Sequence, residues 1–402
     1  MLAERTNRVG ASPTLKVLAE AERLRRQGID VVDLGAGEPD FATPDHVKAA
    51  GRAAIDADCT KYTANAGIEE LRTAICDRYR ADYGVSFAAA EVIVTAGGKQ
   101  ALYNVALSLF GPGDEVITHA PGWPTIVEQI KLAEAIPVIV RTHGEDGFAF
   151  HPDAFLQAMT PRTRGIIINS PCNPTGALIE EPQLAAIADE AARRGIWLVL
   201  DSCYEHLIYD TAAHNLPKVL VERHRERSVI AGSASKAYAM TGWRCGWAIG
   251  PTRVIAACNA IQSHSTSNAC SISQHATLAA LQGSQSCVEA MLAEYRQRRE
   301  IIWQLLTADP RVRCLKPAGA FYLFVDITGL LSPTGIRTSA EFAQALLDDV
   351  RVALTAGEAF DAPGFLRISY ATSVDRLREG ARRIQQFVAA LDRGERASLG
   401  SR

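Results

Sequence analysis

The stretch EVIVTAGGKQALYNVALSLF, residues 91–110, decides the fold, because its hydrophobic pattern changes from that of a strand to that of a helix. Its first residues are apolar and β-branched, which is typical of a buried strand, and two glycines separate them from a run with helical spacing. The same alternation recurs in DEVITHAP, in RGIIINSP followed by EPQLAAIADEAARRG, in IWLVLDSC and in RSVIAGSAS. Repeated alternation of this kind predicts an α/β fold, with a mostly parallel central sheet and helices on both faces.

The pattern changes after about Leu281. A long charged run with helical spacing, VEAMLAEYRQRREIIWQLL, leads to GAFYLFVDI, another helical pattern and FLRISYA, which is typical of a smaller α+β unit. We expect the N-terminal helix to pack against this unit, so that both chain ends form one small domain. The predicted division is an N-terminal arm with part of the small domain at 1–45, a large cofactor-binding domain at 46–285 and the C-terminal small domain at 286–402.

Composition argues against several classes of partner. The 402 residues are 48% apolar and 22% charged with a net charge of −3, and no run of like charges indicates nucleic acid or a membrane. The N-terminus lacks the apolar core of a signal peptide. Nine scattered cysteines without a C-x-x-C pair argue against a disulfide framework or zinc site, and nine histidines show no metal-ligand spacing. We therefore predict a cytoplasmic protein with reduced thiols and without a metal site.

Polar residues follow four of the predicted strands, at the point where each strand ends. In an open parallel sheet, ligands bind beyond the carboxyl ends of the strands, so these residues are expected to form one site. The four stretches are residues 95–99, 169–174, 201–204 and 233–236. Together they offer the groups that a charged, aromatic, phosphorylated cofactor requires.

Two of these stretches offer groups for an anion. Gly97 and Gly98 stand at a predicted helix start, where free backbone N–H groups and the helix dipole attract negative charge. The alternative is a tight strand-to-helix turn without a ligand, because short glycine motifs often occur by chance. Ser233 adds a hydroxyl and Arg244 adds the planar fork that suits phosphate, so the combination favours an anion site.

Asp201 and Lys236 each allow two interpretations. Asp201 follows the apolar run WLVL, so it is either a cap or turn residue or the buried partner of a cationic ring nitrogen, with Tyr204 and Asn173 donating to an oxygen of that ring. Lys236 lies among small and aromatic residues in GSASKAYAMTGWRCGW. It is either an ordinary surface lysine or, if desolvation and a nearby cation lower its pKa, a nucleophile for a carbonyl carbon.

Six motifs occur in this order along the chain: KYTANAGIEELR, TAGGKQAL, NSPCNPTG, LDSCY, SASKAYAMTGWRCGW and FLRISYA. Together with GAGEPDF at residues 35–41, they span nearly the whole chain. They resemble the successive motifs of the class I aminotransferases, which are pyridoxal-phosphate enzymes of fold type I. The closest likeness is to the bacterial aspartate aminotransferase branch. The resemblance implies a ping-pong enzyme that moves the amino group of an L-amino acid to a 2-oxo acid, with aspartate and 2-oxoglutarate as the expected pair.

Carried over residue by residue, the resemblance implies a cofactor site. Lys236 forms the covalent bond to pyridoxal 5′-phosphate and moves the proton between the substrate α-carbon and the cofactor, while Asp201 keeps the ring nitrogen protonated. Trp123 in PGWPT stacks on the ring, and Asn173 and Tyr204 hydrogen-bond its hydroxyl oxygen. The residues implied to hold the phosphate are Gly98, Lys99, Ser233, Ser235 and Arg244.

The resemblance also implies where the substrate binds. Arg367 in LRISYA grips the substrate α-carboxylate with a bidentate fork, Asn173 and Trp123 touch the substrate, and Gly37 offers backbone against it. The alternatives within the family are an aromatic or kynurenine aminotransferase, another amino acid aminotransferase, or a related lyase. A panel of amino donors separates these alternatives.

Two further features concern the partner subunit and the entrance of the site. Tyr62 matches the tyrosine that reaches the phosphate of the neighbouring subunit, which implies a homodimer with shared active sites. Ser12 and Thr14 fall where this branch has a mobile N-terminal segment that covers the site.

The chain departs from the family pattern at three positions. Ala356 and Ala269 replace common prolines, and Asp361 stands where glycine is usual. Ala356 and Asp361 lie near a domain-closing loop, so they bear on its flexibility and on the substrate fit. Residues 263–274 contain no arginine, although one subgroup supplies there the residue that binds a dicarboxylate side chain.

The stretch VVDLGAGEPDF, residues 31–41, has a competing interpretation as the cofactor loop of an S-adenosylmethionine methyltransferase. That loop requires further glycine where Glu38 and Pro39 stand, and proline removes an N–H group and restricts the residue before it. The methyltransferase interpretation also assigns no role to Lys236 and the residues around it. We therefore interpret Gly37 as the point where backbone approaches the amino acid, with a simple glycine turn between domains as the alternative for the rest of the stretch.

A third hypothesis is the aminotransferase-like sensor of a transcription regulator. Such regulators carry an N-terminal DNA-binding domain, and we expect the few residues before Leu34 to leave no room for one.

Overall fold

The computed structural model describes residues 2, 5–10, 13–210, 214–332 and 335–394. Ser12 lies outside these residues, and so does the side chain of Thr14. The strands are β1 (Val32–Asp33), β2 (Val92–Thr95), β3 (Glu115–Ala120), β4 (Ile136–Arg141), β5 (Thr163–Asn169), β6 (Trp197–Asp201), β7 (Ser228–Ser233), β8 (Gly246–Ile249), β9 (Tyr322–Asp326), β10 (Val352–Ala353), β11 (Thr355–Ala356) and β12 (Phe365–Ser369).

Helices connect most of these strands. The α-helices are α1 (Arg5–Arg8), α2 (Pro13–Arg26), α3 (Asp45–Asp56), α4 (Glu69–Tyr83), α5 (Gly98–Leu109), α6 (Pro124–Leu132), α7 (Pro152–Ala158), α8 (Glu181–Arg194), α9 (Leu216–His224), α10 (Ala234–Ala237), α11 (Thr252–Ser263), α12 (Ser271–Gln282), α13 (Ser286–Leu306), α14 (Ser339–Val350) and α15 (Val374–Asp392). Short 3₁₀ helices cover Ala89–Glu91, Gly144–Asp146, Arg225–Arg227, Thr241–Trp243, Thr328–Leu330 and Gly357–Phe360.

The central sheet has the strand order β2-β8-β7-β6-β5-β3-β4. The pairs from β7 through β6, β5 and β3 to β4 are parallel, whereas β8 is antiparallel to both β7 and β2. The prediction of a mostly parallel sheet is therefore confirmed, and β8 is the strand that runs the other way. Because β2 lies antiparallel to β8, it runs with the parallel strands, and its carboxyl end lies at the same edge as theirs.

Alternate residues of the central strands enter two apolar clusters. In β5, Ile166 and Ile168 belong to one cluster and Ile167 belongs to the other. The first cluster includes residues of α4 and α8, such as Leu71 and Leu184, and the second includes residues of α5, α6 and α11. Since side chains of a strand alternate between its two faces, this division shows helices packed on both faces of the sheet.

The two chain ends meet outside the central sheet. β1 pairs in parallel with β10, and β9, β12 and β11 form a separate antiparallel sheet. A third apolar cluster joins Val32 and Leu34 to residues of α13, α14 and α15. The expected packing of the N-terminal helix against the C-terminal unit is present, because Ala21 and Leu24 of α2 cluster with Leu347 of α14 and Ala353 of β10. The domain bounds at residues 45 and 285 stay a prediction. No helix in the described ranges is both long and apolar enough to cross a membrane.

Candidate active site

A cavity of about 370 Å³ lies at the carboxyl edge of the central sheet, between this sheet and the β9-β12-β11 sheet. It is lined by Gly35, Ala36, Gly37, Glu38, Gly98, Lys99, Trp123, Asn169, Asn173, Asp201, Cys203, Tyr204, Ser233, Ser235, Lys236, Thr241, Arg244, Tyr322 and Arg367. Apart from Ser12 and Thr14, every site residue expected from the sequence is in this set except Gly97 and Tyr62. The folded chain therefore gathers side chains that are up to several hundred residues apart in sequence.

Lys236 lies on α10, a short helix that follows directly on β7. The side chain of Ser233 caps this helix by accepting a hydrogen bond from the backbone N–H of Ser235. The Lys236 ammonium donates to the carbonyl oxygen of Gly37 at 2.5 Å. Burial lowers the pKa of Lys236 to about 8, and the charges of Arg367 and Arg244 act in the same direction. Near neutral pH, a usable fraction of this amine is therefore unprotonated and nucleophilic.

Asp201 ends β6 and is only 2% exposed. Its Oδ1 accepts a hydrogen bond from the backbone N–H of Cys203 at 3.1 Å. Burial raises the pKa of the Asp201 carboxyl above its ordinary value, and the charge of Lys236 opposes this effect only weakly. A buried carboxylate at a cavity wall is stabilised by a cation, so Asp201 suits a ligand with a protonated ring nitrogen.

The start of α5 and the guanidinium of Arg244 face the same part of the cavity. Gly97 has φ +87°, and no described side chain caps the helix that begins at Gly98. A Cβ atom at Gly97 would lie 2.6 Å from Nη2 of Arg244, so a larger residue would displace the guanidinium, and the positive φ also favours glycine. Arg244 donates to the carbonyl oxygens of Thr241 at 2.9 Å and Ala96 at 3.2 Å. This combination of helix N-terminus, dipole and fixed cation suits a phosphate group.

Lys99 and Trp123 form the wall beside this anion site. The Lys99 ammonium lies 4.9 Å from the centre of the Trp123 ring. Burial lowers the pKa of Lys99, with a smaller contribution from the charge of Arg244. Trp123 stands at the start of α6, where its ring borders the cavity and is available to stack on an aromatic ligand.

Arg367 lies on β12 and is 2% exposed. Its Nη1 donates to Oδ1 of Asn173 at 3.0 Å and its Nη2 to the carbonyl oxygen of Gly35 at 2.7 Å. Its Nε is buried without a hydrogen-bond partner among the described residues. A Cβ atom at Gly37 would lie 3.9 Å from Arg367 Nη2, so the glycine keeps this side open. A buried guanidinium bonded to neutral oxygens suits the carboxylate of a ligand.

Seven cavity residues have no individual role predicted from the sequence, namely Gly35, Ala36, Glu38, Asn169, Cys203, Thr241 and Tyr322. The Tyr322 hydroxyl lies 2.7 Å from the Tyr204 hydroxyl, and its ring lies under the guanidinium of Arg367. Asn169 accepts a hydrogen bond from the backbone N–H of Asn173 at 2.8 Å through its Oδ1. Asn169 belongs to the strand-end stretch 169–174, so its position could have been read from the same pattern. Tyr322 had no comparable signal, since GAFYLFVDI has the pattern of a buried strand.

Other predicted positions lie outside the cavity. The Tyr62 side chain is 91% exposed in the single chain, so its predicted role in a partner's site stays a prediction. Ala356 lies in β11, where it pairs with Leu366. Asp361 follows the 3₁₀ helix Gly357–Phe360 with φ +60°, and its carboxylate and carbonyl both accept hydrogen bonds from Arg141. Ala269 is buried just before α12.

Comparison with known proteins gives concordant matches. The family model described as "Aminotransferase class I and II" matches residues 29–384. The aspartate/prephenate aminotransferase of Cereibacter sphaeroides is 43% identical over 97% of this chain and 99% of its own. The solved aspartate aminotransferase of Thermus thermophilus with maleate is 40% identical with a TM-score of 0.89, covering 95% of this chain and 98% of that chain. The Rhizobium meliloti aspartate aminotransferase structure has a TM-score of 0.92 at 38% identity, covering 98% and 99%.

The fold and the site together define a pyridoxal 5′-phosphate enzyme of fold type I. The chain belongs to the class I and II aminotransferases. It is a transferase of amino groups whose cofactor is pyridoxal 5′-phosphate, and the resemblance seen in the six sequence motifs is confirmed. The methyltransferase interpretation of residues 31–41 is thereby set aside.

Proposed function

We propose that this enzyme transfers the amino group of L-aspartate to 2-oxoglutarate in a ping-pong reaction. The observation that carries the proposal is Arg367, a buried guanidinium at the cavity wall whose described hydrogen bonds go to neutral oxygens. An α-carboxylate, common to amino acids and 2-oxo acids, supplies the missing negative charge. Aspartate is the first choice because the similar proteins from Cereibacter sphaeroides and Geobacillus stearothermophilus, the latter 42% identical, carry aspartate in their names.

The residues around the cavity fit pyridoxal 5′-phosphate at both of its charged ends. Asp201 faces the place for a protonated ring nitrogen, and Gly98 and Arg244 face the place for the phosphate, with Ser233 and Ser235 beside them. When bound, the cofactor supplies a carbonyl carbon for the amino group and a ring that withdraws electrons from the substrate α-carbon. Trp123, Asn173, Tyr204 and Lys99 complete the proposed binding set.

The chain's own groups perform the proton movements in this proposal. Lys236 Nζ is neutral in part near pH 8 and lies on the cavity wall, where it accepts and returns the proton of the substrate α-carbon. Asp201 holds the proton on the ring nitrogen, so that negative charge from the α-carbon is stabilised. Tyr204, whose ring centre is 5.8 Å from Lys236 Nζ, orients both the amine and the ring oxygen.

Arg367 and Gly37 position the substrate. The guanidinium fixes the α-carboxylate, and the absence of a side chain at Gly37 leaves space beside Arg367 Nη2. Asn173 holds the guanidinium through its Oδ1 and offers its amide to the same carboxylate. Binding a charged substrate group in this buried position removes the cost of an uncompensated cation.

We further propose a cytoplasmic homodimer in which Tyr62 of each subunit reaches the phosphate of the other. The exposure of Tyr62, at 91%, supports this part of the proposal, because a large aromatic side chain so exposed is available to a second copy. Tyr62→Phe should lower the affinity for the cofactor, and a monomer in sedimentation analysis would contradict the shared site.

A panel of amino donors against 2-oxoglutarate, with oxaloacetate, pyruvate and prephenate as further acceptors, tests the substrate proposal. We expect the highest kcat/KM with aspartate. Arg367→Lys should raise KM about tenfold or more for every donor, because lysine lacks the planar fork. A preference of tenfold or more for an aromatic donor or kynurenine would replace aspartate by the alternative drawn from the same family.

A further inference from the structure

Tyr322 contacts the guanidinium proposed to bind the substrate carboxylate. It begins β9, its side chain is fully buried, and its ring centre lies 4.4 Å from the guanidinium carbon of Arg367. The ring centre of Phe360 lies 5.1 Å from the same guanidinium carbon. Contact with aromatic faces stabilises a cation and restricts its orientation. The two rings therefore fix the plane in which Arg367 offers its N–H groups.

The other end of Tyr322 contacts the group proposed to orient the cofactor and Lys236. Its hydroxyl lies 2.7 Å from the hydroxyl of Tyr204, which is buried in the turn after β6. A Cβ atom at Gly37 would lie 3.4 Å from the same hydroxyl, so the substrate side of the cavity is also adjacent. One side chain thus contacts both halves of the site.

The hydroxyl pair has a consequence for hydrogen-bond direction. Each hydroxyl has one proton, so when Tyr322 donates to the oxygen of Tyr204, the proton of Tyr204 is free to point into the cavity. Hydrogen bonds in such a chain polarise one another, which makes the Tyr204 O–H a stronger donor. Without the Tyr322 hydroxyl, the Tyr204 oxygen no longer has this donor and its O–H loses the support.

We propose that Tyr322 is a positioning residue that couples the substrate carboxylate site to Tyr204, its ring holding Arg367 and its hydroxyl setting the donor direction of Tyr204. The inference rests on the proposed function of the cavity and extends it to a residue with no role assigned above. It separates into two parts that different variants of Tyr322 test.

Tyr322→Phe keeps the ring and removes the hydroxyl. We expect kcat to fall about 3- to 10-fold, the loss of one hydrogen bond, while KM stays within about twofold. Tyr322→Leu removes the ring as well, so KM should rise about fivefold or more. The double variant Tyr204→Phe with Tyr322→Phe should have the kcat of Tyr204→Phe alone, because the two hydroxyls act as one unit.

A binding measurement gives a readout that does not depend on turnover. The dissociation constant of succinate, an aspartate analogue without the amino group, should rise about fivefold in Tyr322→Leu and stay unchanged in Tyr322→Phe, as measured by calorimetry on the holoenzyme. Kinetics are run with whichever donor the wild-type enzyme prefers. A wrong assignment of aspartate would then appear in the wild-type panel and not in the comparison of variants.

Tyr370→Phe is the matched control. Tyr370 is equally buried and its hydroxyl bonds the Tyr209 hydroxyl and the carbonyl oxygen of Ala320, both at 3.2 Å, but it does not line the cavity. We expect lower thermal stability and unchanged kcat. The inference is overturned if Tyr322→Phe keeps wild-type kcat, if kcat and stability fall in the same proportion in both phenylalanine variants, or if the hydroxyl losses at Tyr204 and Tyr322 are additive.

Discussion

At the residue scale, the cavity holds opposite charges that the chain itself leaves poorly compensated. Asp201 is a buried carboxyl with a raised pKa, and Arg367 is a buried guanidinium bonded to neutral oxygens. Buried charges of this kind cost stability in the absence of a counter-charge. A cofactor with a cationic nitrogen and a substrate with a carboxylate supply both counter-charges. Ligand binding therefore explains why these two charged groups are buried, although they cost stability in the absence of ligands.

Asp201→Asn should therefore separate stability from activity. The folded pKa of Asp201 is raised above its ordinary 3.8, so the folded apoprotein binds its proton more tightly than the unfolded chain does. Wild-type stability should fall as the pH rises above about 3.8, and the loss should persist at neutral pH. The asparagine variant lacks this loss. We expect it to be the more stable apoprotein in urea unfolding near neutral pH, yet to lose about 100-fold or more in kcat.

The comparison at low pH supplies the control for Asp201. At a pH below 3.8 both proteins carry a neutral side chain at this position, so their stability difference should shrink. An asparagine variant that is less stable than wild type at neutral pH would show that the buried carboxylate is stabilised by the apoprotein itself.

The residues that could be predicted share a local signal. Asp201, Ser233 and Lys236 stand where an apolar strand gives way to polar residues, a pattern visible in the sequence alone. Tyr322 could not be predicted in this way, because its contacts with Tyr204 and Arg367 join three separate elements. Contacts between residues of different sheets produce no hydrophobic periodicity and no motif in a single sequence.

At the element scale, the start of α5 requires glycine for reasons of space. A Cβ atom at Gly98 would lie 2.7 Å from Sγ of Cys203 and 3.3 Å from Cβ of Ser233. Gly98→Ala should destabilise the protein by about 1–3 kcal/mol and weaken cofactor binding, because the helix start must shift. Adding Cys203→Ala removes the sulfur atom and should restore most of both losses.

Gly111→Ala is the matched control for this position, since a Cβ atom there has nothing within 4 Å. Its free energy of unfolding should change by about 0.5 kcal/mol or less. Stability from urea titration and cofactor affinity from absorbance titration are compared for all variants. Failure of Cys203→Ala to rescue Gly98→Ala would show that the contact with Cys203 is not the cause.

Asp361, which stands where the family usually has glycine, offers a second test at this scale. Its φ of +60° is unfavourable for a residue with a side chain, while Arg141 holds its carboxylate at 2.8 Å. The ion pair is exposed and contributes about 0–1 kcal/mol. Asp361→Gly should therefore be near neutral, and Asp361→Ala about 1 kcal/mol less stable than the glycine variant. Equal stability of the two variants in urea would contradict this account.

At the scale of the whole molecule, a buried arginine ties the two chain ends together. Arg383 of α15 is 7% exposed and donates to the carbonyl oxygen of Asp30 at 2.9 Å and to its carboxylate at 2.5 Å. Arg383→Ala should lower the free energy of unfolding by about 1–3 kcal/mol. The neighbouring Arg382, whose side chain is 58% exposed, pairs with Glu379 on the same helix. Arg382→Ala should change the free energy of unfolding by about 0.5 kcal/mol or less. Equal losses in the two variants would contradict a stabilising role of the contact between Arg383 and Asp30.

The fold class could be predicted from the sequence, whereas the direction of every strand could not. The alternation of β-branched and helical runs indicates the α/β class and the helices on both faces, because it reflects which faces are buried. It does not indicate that β8 runs antiparallel, since a short apolar run such as GWAI has the same pattern in either direction. The pairing of β1 with β10 was expected only as packing of the chain ends, without a register.

We propose that Lys236 holds pyridoxal 5′-phosphate and that this site exchanges amino groups. The most direct measurement is the visible absorbance of the purified protein during addition of aspartate and then of 2-oxoglutarate. We predict that aspartate bleaches the band of the bound cofactor and 2-oxoglutarate restores it, and that Lys236→Ala shows neither the wild-type band nor its recovery. A wild-type protein whose absorbance responds to no amino acid, or a Lys236→Ala variant that cycles as the wild type does, would contradict the account.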